Sequence, residues 1–248
     1  SMAFDDMAEH LKESFESLEQ SEKEKSLMIA QLSHDIKTPI TSIQSTAEGM
    51  LDGIIKKDEY KYYLETICRQ TTRLNKLVEE INYLTLSVKE TDSADKKETI
   101  FLDKLLIDCM SEFKLRAEKE QRDIFIKVIP ENAKIVSNYN KIQRIIVNLL
   151  GNAFKYSPSG TKIEIVAEIS DEILSISIID EGCGIKKEEL ENIFKRLYRV
   201  EASRNMKTGG YGLGLAIAKQ LAMQLNGDII VESEYGKGST FTLKILTK

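Results

Sequence analysis

Residues 142–157 read Ile-Gln-Arg-Ile-Ile-Val-Asn-Leu-Leu-Gly-Asn-Ala-Phe-Lys-Tyr-Ser. Their apolar side chains recur every three or four residues, which predicts a helix with one buried face. Four polar residues fall at i, i+4, i+7 and i+8 and therefore share one edge of that helix. They are Asn148, Asn152, Lys155 and Tyr156. Asparagine oxygens can ligand Mg²⁺ and a lysine can neutralise phosphate charge, whereas a solvated asparagine-rich face is the simpler alternative.

The sequence around this helix alternates between strand and helix patterns. Period-two alternation predicts strands over residues 162–169, 172–180 and 240–245. Helical periodicity covers residues 102–120, 140–156, 187–194 and 213–225. We therefore expect the second half to be an α/β sandwich, with helices over one mixed sheet.

The first half of the chain predicts helix almost without interruption. Apolar positions spaced by three and four run from Met7 to Ile54, with two consecutive spacings of four around residue 34. A second stripe runs from Leu64 to Val88, and Gly53 lies in the turn between the two. One such hairpin has an apolar seam too wide to cover itself. We expect two copies to form a dimeric four-helix bundle.

These patterns divide the chain into four segments. We expect residues 1–25 to be a tag remnant, Ser1-Met2-Ala3, followed by a weak coiled coil. Residues 26–90 are the helical dimerisation domain, residues 91–97 a polar linker, and residues 98–248 the α/β domain. The whole is a multidomain chain that joins an all-α hairpin to an α/β sandwich.

Composition excludes several classes of function. The 248 residues carry a formal net charge of −5, which argues against a general nucleic-acid binder. No apolar run approaches the ~20 residues of a membrane helix, so we expect the chain as given not to span a membrane. The three cysteines lack disulfide or zinc spacing, which favours a reducing cytosol. They are Cys68, Cys109 and Cys183.

One of the two histidines has neighbours that suit phosphoryl chemistry. His34 lies off the apolar stripe, so its imidazole is expected to face solvent. Asp35 follows it, Thr38 lies one turn on, and Pro39 removes a helical N–H donor. A carboxylate beside an imidazole can hold one ring proton and make the other nitrogen a better nucleophile. A surface histidine with a chance aspartate neighbour is the simpler alternative, and His10 lacks every one of these neighbours.

The string Ser-His-Asp-Ile-Lys-Thr-Pro at residues 33–39 resembles the H box of sensor histidine kinases of the HisKA type. The resemblance implies that His34 accepts the phosphoryl group, Asp35 is the general base, and Thr38 helps to position water during dephosphorylation of the partner. It also implies a homodimer and a response-regulator receiver domain as partner. Residues 4–18 look like the end of a HAMP module, which implies a longer bacterial membrane protein whose cytoplasmic part is this chain.

The string at residues 148–157 is similar to the N box of the superfamily that joins histidine kinases to type II topoisomerases and mismatch-repair ATPases. That superfamily has the Bergerat-type ATP-binding fold, so the resemblance implies ATP and Mg²⁺ as cofactors. By this resemblance Asn152 is the chief magnesium ligand, and the other three residues of the polar edge surround the phosphates and sugar. Those three are Asn148, Lys155 and Tyr156.

Two glycine-rich strings follow in the order of the family. Asp180-Glu-Gly-Cys-Gly resembles the first glycine box and implies Asp180, Gly182 and Gly184 as the adenine floor. Residues 209–215 resemble the second glycine box, and glycine-rich backbone at a helix N-terminus suits an anion. The nucleotide-binding residues implied there are Gly210, Gly212, Leu213, Gly214 and Leu215.

The segment between the glycine boxes, residues 185–208, is net positive and resembles an ATP lid. The resemblance implies that Phe194 is a buried plug and that Arg199 contacts the γ-phosphate. Two positions depart from the family. Asn138 replaces a usual Asp, where a helix N-cap role survives, and Leu197 replaces a usual aromatic residue, which affects lid packing.

The predicted function is autophosphorylation of His34 by ATP and transfer to a response-regulator aspartate, with regulator phosphatase activity besides. A conformational ATPase of the same superfamily is one alternative, but it has no use for the H box. A degenerate dimeric scaffold that binds a regulator without kinase activity is the other. That alternative requires broken ATP motifs, and Asn152, Asp180 and Gly212 are intact.

Overall fold

The computed structural model describes residues 2–86, 96–199 and 211–247. The chain divides into two compact units, Ser1–Ile81 and Asn82–Lys248. The first is helical and the second is built around a mixed sheet, as the sequence predicts. Among the described residues, no helix is long and apolar enough to cross a membrane.

The helical unit contains two long helices, α1 at Met2–Leu51 and α2 at Tyr60–Leu86. Helix α1 continues through Pro39. The turn between the helices is fixed by Gly53, which has a φ of 69°, and by the Tyr60 hydroxyl, which donates to the Met50 carbonyl at 3.1 Å. The predicted helical hairpin is therefore confirmed.

Much of the predicted apolar stripe on this unit is exposed to solvent. The exposed members are Met7, Leu11, Leu18, Ile29, Ile40 and Ile54 on the first half of the hairpin and Leu64 and Val78 on the second. Val88, the last predicted member, lies outside the described residues. A row of this length is more than the scattered apolar side chains that a monomer normally exposes.

The α/β unit contains a five-stranded sheet and a two-stranded ribbon. The large sheet has the order β2-β4-β5-β7-β6, in which β2 and β4 are parallel and the other neighbours are antiparallel. Its strands are β2 (Ile124–Ile129), β4 (Ile163–Ser170), β5 (Ile173–Asp180), β6 (Gly227–Glu234) and β7 (Gly238–Leu246). The ribbon pairs β1 (Glu98–Phe101) with β3 (Lys134–Ser137).

Four helices accompany these strands. They are α3 (Leu102–Ser111), α4 (Lys114–Lys119), α5 (Tyr139–Tyr156) and α6 (Gly214–Gln224). Helices α5 and α6 contact each other and the sheet. Helix α5 begins after Asn138, whose side-chain oxygen accepts the Lys141 N–H at 2.9 Å, so the predicted N-cap is confirmed.

The core lies between the helices and one face of the sheet. The predicted inward faces of β4, β5 and β7 are confirmed, with the exception of Ile169, which is half-buried. The buried side chains are Ile163, Ile165, Ala167, Leu174, Ile176, Ile178, Phe241, Leu243 and Ile245. Full burial of one aliphatic side chain contributes about 1.5–3 kcal/mol, so these alternating rows hold the sheet to the helices.

Three details differ from the sequence-based expectations. The helix predicted over 102–120 is broken between α3 and α4, where Phe113 stacks on Phe154 with ring centroids 4.8 Å apart. The helix predicted over 187–194 is only a 3-10 turn at Lys187–Glu189. Strands β1, β2, β3 and β6 were not predicted, and most of the predicted linker, residues 91–95, lies outside the described residues.

Candidate functional site

His34 stands on the solvent side of α1. Its side chain is 77% exposed, and that of Asp35 is 22% exposed. The Nδ1 atom of His34 lies 3.5 Å from Oδ1 of Asp35. The Thr38 hydroxyl donates to the His34 carbonyl at 3.0 Å. The imidazole is thus accessible on its Nε2 side, while a carboxylate can hold the proton on Nδ1.

The polar edge of α5 is half-buried, whereas the opposite side of the helix forms core. The Nδ2 atom of Asn148 is buried and has no hydrogen-bond partner among the described residues. The Lys155 ammonium lies 4.7 Å from the centre of the Tyr156 ring. A buried amide nitrogen without a partner costs free energy, so this edge is suited to receive an acceptor from a ligand.

The second glycine box lies directly against this edge. A Cβ placed on Gly214 would lie 3.4 Å from Oδ1 of Asn148, so Gly214 brings the start of α6 beside that side chain. Gly212 has a φ of 73°, and a Cβ there would lie 2.6 Å from the Tyr198 carbonyl oxygen. Leu213 is fully buried and Leu215 is half-buried. The N-terminus of α6 thus offers backbone N–H groups beside Asn148.

Asp180 ends β5 and is only 7% exposed. Its Oδ1 accepts the Gly182 N–H at 2.8 Å. Burial raises the pKa of the Asp180 carboxyl, while hydrogen bonds from Gly182, Ser239 and Ser157 and the charge of Arg122 oppose that rise. The carboxylate is therefore a buried acceptor whose ionised form depends on its neighbours.

The glycines after Asp180 allow a close approach of backbone segments. A Cβ on Gly182 would lie 2.6 Å from Oδ1 of Asp180 and 2.7 Å from the Tyr156 carbonyl oxygen. Gly184 has a φ of 64°, and a Cβ there would overlap the Glu234 carbonyl. The Cys183 N–H donates to the Tyr156 carbonyl at 3.2 Å, which joins the first glycine box to the end of α5.

The structure thus brings three predicted strings together, namely the end of α5, the end of β5 and the start of α6. Arg199 is half-buried at the end of a described range, and Gly209, Gly210 and lid residues 200–208 lie outside the described residues. The expectation of a buried Phe194 is wrong. Phe194 is half-buried with the Lys219 ammonium 4.9 Å from its ring centre, while Ile193 is the buried residue at 7% exposure.

The residues of this site fit a magnesium-bound nucleotide. The described ranges contain no group of three or more His, Cys, Asp or Glu side chains that could hold a metal. Mg²⁺ commonly keeps several waters and takes few protein ligands beside substrate phosphates, so one Asn152 oxygen suits it. The unpaired Nδ2 of Asn148 suits a phosphate oxygen.

Sequence reasoning missed two residues beside Asp180. Ser157 is 7% exposed, and its hydroxyl acts to lower the pKa of the Asp180 carboxyl. Its signal was its place as the last residue of the asparagine string. Arg122 is 8% exposed and acts on Asp180 through its charge. No local pattern marks it, since it stands in a polar stretch of Glu, Gln and Asp.

Comparisons with known proteins identify the family of both units. Residues 24–87 match the family described as "His Kinase A (phospho-acceptor) domain". Residues 137–248 match "Histidine kinase-, DNA gyrase B-, and HSP90-like ATPase". Histidine protein kinase SaeS of Staphylococcus aureus is 38% identical over 247 residues, which cover 98% of this chain and 70% of the relative. The chain belongs to the sensor histidine kinase family.

Solved structures also resemble this kinase. The histidine kinase AdeS of Acinetobacter baumannii has a TM-score of 0.71 at 26% identity, over 87% of the kinase and 98% of that chain. The histidine kinase ThkA, solved in complex with the response regulator protein TrrA, has a TM-score of 0.72 over 89% of the kinase and 61% of that chain. Its 22% identity shows the fold alone. The kinase is thus an enzyme of a two-component system with an ATPase-type second unit.

Proposed function

We propose that this kinase transfers the γ-phosphoryl group of ATP to His34 and then to an aspartate of a response regulator. The observation that carries the proposal is the exposed imidazole of His34 beside Asp35, in a segment that matches the phospho-acceptor family. An exposed nucleophile on a helix can meet first the nucleotide and then a receiver domain.

The neighbours of His34 support a direct displacement. Asp35 can keep the proton on Nδ1, which leaves the Nε2 lone pair to attack the γ-phosphorus. The bond from phosphorus to the β,γ-bridging oxygen breaks, and ADP leaves with its electron pair. The Asp35 carboxylate then stabilises the positive charge that forms on the ring, and it can take up the Nδ1 proton.

We propose a role in nucleotide binding for each of the three segments that meet at the site, namely the ends of α5 and β5 and the start of α6. Asp180 accepts from the adenine amino group, and Asn148 together with the N-terminus of α6 donates to the phosphates. Lys155 and Tyr156 border the phosphates and sugar, and Arg199 binds the γ-phosphate. Asn152 holds Mg²⁺, which neutralises phosphate charge when it is bound.

The exposed stripe of the helical unit supports a homodimer. Met7, Leu18 and Ile29 are each more than half exposed. A second copy of the same hairpin offers a matching stripe, and two hairpins would bury both as a four-helix bundle. We also propose, from the resemblance of residues 4–18 to a HAMP end, that membrane segments precede this part in a longer protein.

Thr38 is proposed to act in a separate phosphatase reaction, by orienting water for hydrolysis of the phosphorylated regulator. It lies one turn beyond His34, and its hydroxyl already contacts the His34 carbonyl. Thr38→Ala should keep autophosphorylation and lose release of phosphate from a phosphorylated receiver domain. Equal phosphate release by Thr38→Ala and the parent would exclude this role.

The primary experiment compares the parent with His34→Gln and His10→Gln. His10 is a matched control because it is exposed on the same helix and is the other of the two histidines in the chain. The chains are incubated with Mg²⁺ and γ-labelled ATP, and acid-labile label on the protein is measured. The parent and His10→Gln should be labelled, and His34→Gln should not.

Two results would contradict the proposed phosphorylation of His34. Label on His34→Gln at the parent level would place the acceptor elsewhere and overturn the site. Absence of label on all three chains, together with intact nucleotide binding, would favour the scaffold alternative over the kinase.

A further inference from the structure

A buried arginine outside the predicted nucleotide site lies at the C-terminal end of α5. The Arg122 side chain is 1% exposed. Its Nη2 donates to the Ser157 carbonyl at 2.6 Å and to the Phe154 carbonyl at 3.3 Å. Its Nη1 donates to the Thr161 hydroxyl at 3.0 Å, and its Nε donates to Glu120. All three guanidinium nitrogens are therefore engaged.

These contacts hold the part of α5 that meets the first glycine box. The last carbonyls of a helix lack intrahelical partners, and a cation there is favourable. Ser157 is the C-cap residue, and its hydroxyl lies 2.7 Å from the Ala153 carbonyl oxygen. The residue before it, Tyr156, accepts the Cys183 N–H at 3.2 Å and so joins this end of α5 to the glycine loop that follows Asp180. Arg122 thus holds the end of α5 that borders the loop after Asp180.

The charge of Arg122 acts in the same direction as its contacts. Burial raises the pKa of Asp180, and the Arg122 guanidinium is the cation that opposes that rise. An ionised carboxylate only accepts hydrogen bonds, which suits the amino group of adenine, whereas a protonated one carries a competing donor. The arginine therefore favours both the position and the ionisation state that adenine recognition needs.

Arg116 offers an internal comparison. Its Nε donates to Glu120 at 2.7 Å and its Nη2 to the Phe154 carbonyl at 2.9 Å. Both arginines lie over the Phe154 ring, at 5.5 Å for Arg116 and 5.3 Å for Arg122. Arg116 is 47% exposed, and its described hydrogen bonds do not include Ser157. It shares the structural contacts of Arg122 without the connection to Asp180.

We propose that Arg122 is a positioning residue for the adenine base, because it holds the end of α5 to which the glycine loop beside Asp180 is joined. This inference rests on the proposed adenine-binding role of Asp180. In this proposal Arg122 acts through the end of α5 and the glycine loop, without a contact of its own to the nucleotide.

The test compares two nucleotides on three chains. ATP and purine riboside triphosphate, which lacks the 6-amino group, are titrated with Mg²⁺ into the parent, Arg122→Met and Arg116→Met. The folded fraction of each chain is determined by thermal unfolding. The parent should bind ATP about tenfold or more tightly than the analogue, since a hydrogen bond to a charged acceptor is lost.

Arg122→Met should lose about tenfold in ATP affinity and less than about twofold in analogue affinity, so that discrimination nearly disappears. Arg116→Met should keep the parent's ratio. Equal loss for both nucleotides in Arg122→Met would mean a structural role only and would overturn the inference. A parent that does not discriminate would instead refute the proposed role of Asp180, and the inference would fall with it.

A second variant serves if Arg122→Met does not fold. Arg122→Lys keeps a buried cation, but its single ammonium lacks the fork that reaches Ser157, Thr161 and Glu120 together. Its ratio of ATP to analogue affinity should fall below the parent's. A ratio equal to the parent's in Arg122→Lys would contradict the positioning role.

Discussion

Replacement of Asp180 by asparagine should separate nucleotide binding from stability. The change is nearly isosteric at a position that is 7% exposed. Asparagine can keep an oxygen for the Gly182 N–H, which Oδ1 of Asp180 accepts at 2.8 Å. It then presents an NH₂ donor where the carboxylate offered a second acceptor, so two donors meet when adenine enters.

The size of the effect follows from these contacts. A hydrogen bond to a charged group contributes about 1.5–3 kcal/mol, and a buried unpaired donor costs about 1–3 kcal/mol. The lower sum, about 2.5 kcal/mol, corresponds to a loss of about 60-fold in ATP affinity. The free energy of unfolding should fall by about 1 kcal/mol, because the amide loses an acceptor that the carboxylate offers to Ser239, while removal of a charge that is costly to bury offsets part of that loss.

Isothermal titration with Mg²⁺ and ATP gives the affinity, and urea unfolding gives the free energy of unfolding. Asp228→Asn is the matched control, since Asp228 is 58% exposed in the same sheet and pairs with Lys219. It should bind ATP within about twofold of the parent. An Asp180→Asn chain that binds ATP within threefold of the parent would refute this account of adenine recognition.

Three further predictions concern pH, backbone and capping. As pH is lowered, the ATP affinity of the parent should begin to fall at a higher pH than an exposed aspartate would cause, because binding uses ionised Asp180 and the pKa of that carboxyl is raised. ATP titrations of Asp180→Asn should not show this loss of affinity at acidic pH. The same raised pKa means that the folded state binds this proton more readily than the unfolded state, so unfolding curves should show this contribution to stability declining as pH rises through that window. Gly184→Ala should lose about 2 kcal/mol or more in urea unfolding, since its Cβ would overlap the Glu234 carbonyl at positive φ, whereas Gly160→Ala, with open space around it, should lose only about 1 kcal/mol. Asn138→Ala should cost about 1 kcal/mol in thermal unfolding and Asn138→Asp almost nothing, because only alanine removes the N-cap acceptor.

The sequence predicted the elements whose side chains repeat over many residues. Helix α5 begins within one residue of its predicted start, and β4, β5 and β7 bury the rows that alternation indicated. The ribbon strands β1 and β3 have four residues each, too few for a period to be read. The break between α3 and α4 lies beside the stacked rings of Phe113 and Phe154, a contact between distant parts of the chain.

The candidate site was predictable in so far as its residues lie on one periodic element or in one short string. The shared edge of Asn148, Asn152, Lys155 and Tyr156 follows from helical spacing alone. The approach of Gly214 to Asn148 needs the packing of α6 on α5. The contact of Arg122 with Ser157 joins residues 35 positions apart, and no local pattern encodes it.

The hydroxyl of Thr38 has one proton, and in this structure that proton goes to the His34 carbonyl. A water bound to Thr38 must therefore donate to it, unless the side chain turns about its Cα–Cβ bond and releases the carbonyl. The hydroxyl therefore cannot donate to the His34 carbonyl and to a water at the same time. If Thr38 orients the hydrolytic water as a donor, its side-chain torsion angle decides which activity the helix supports. In one rotamer the hydroxyl donates to the His34 carbonyl, and in another it can direct water at the phosphorylated regulator.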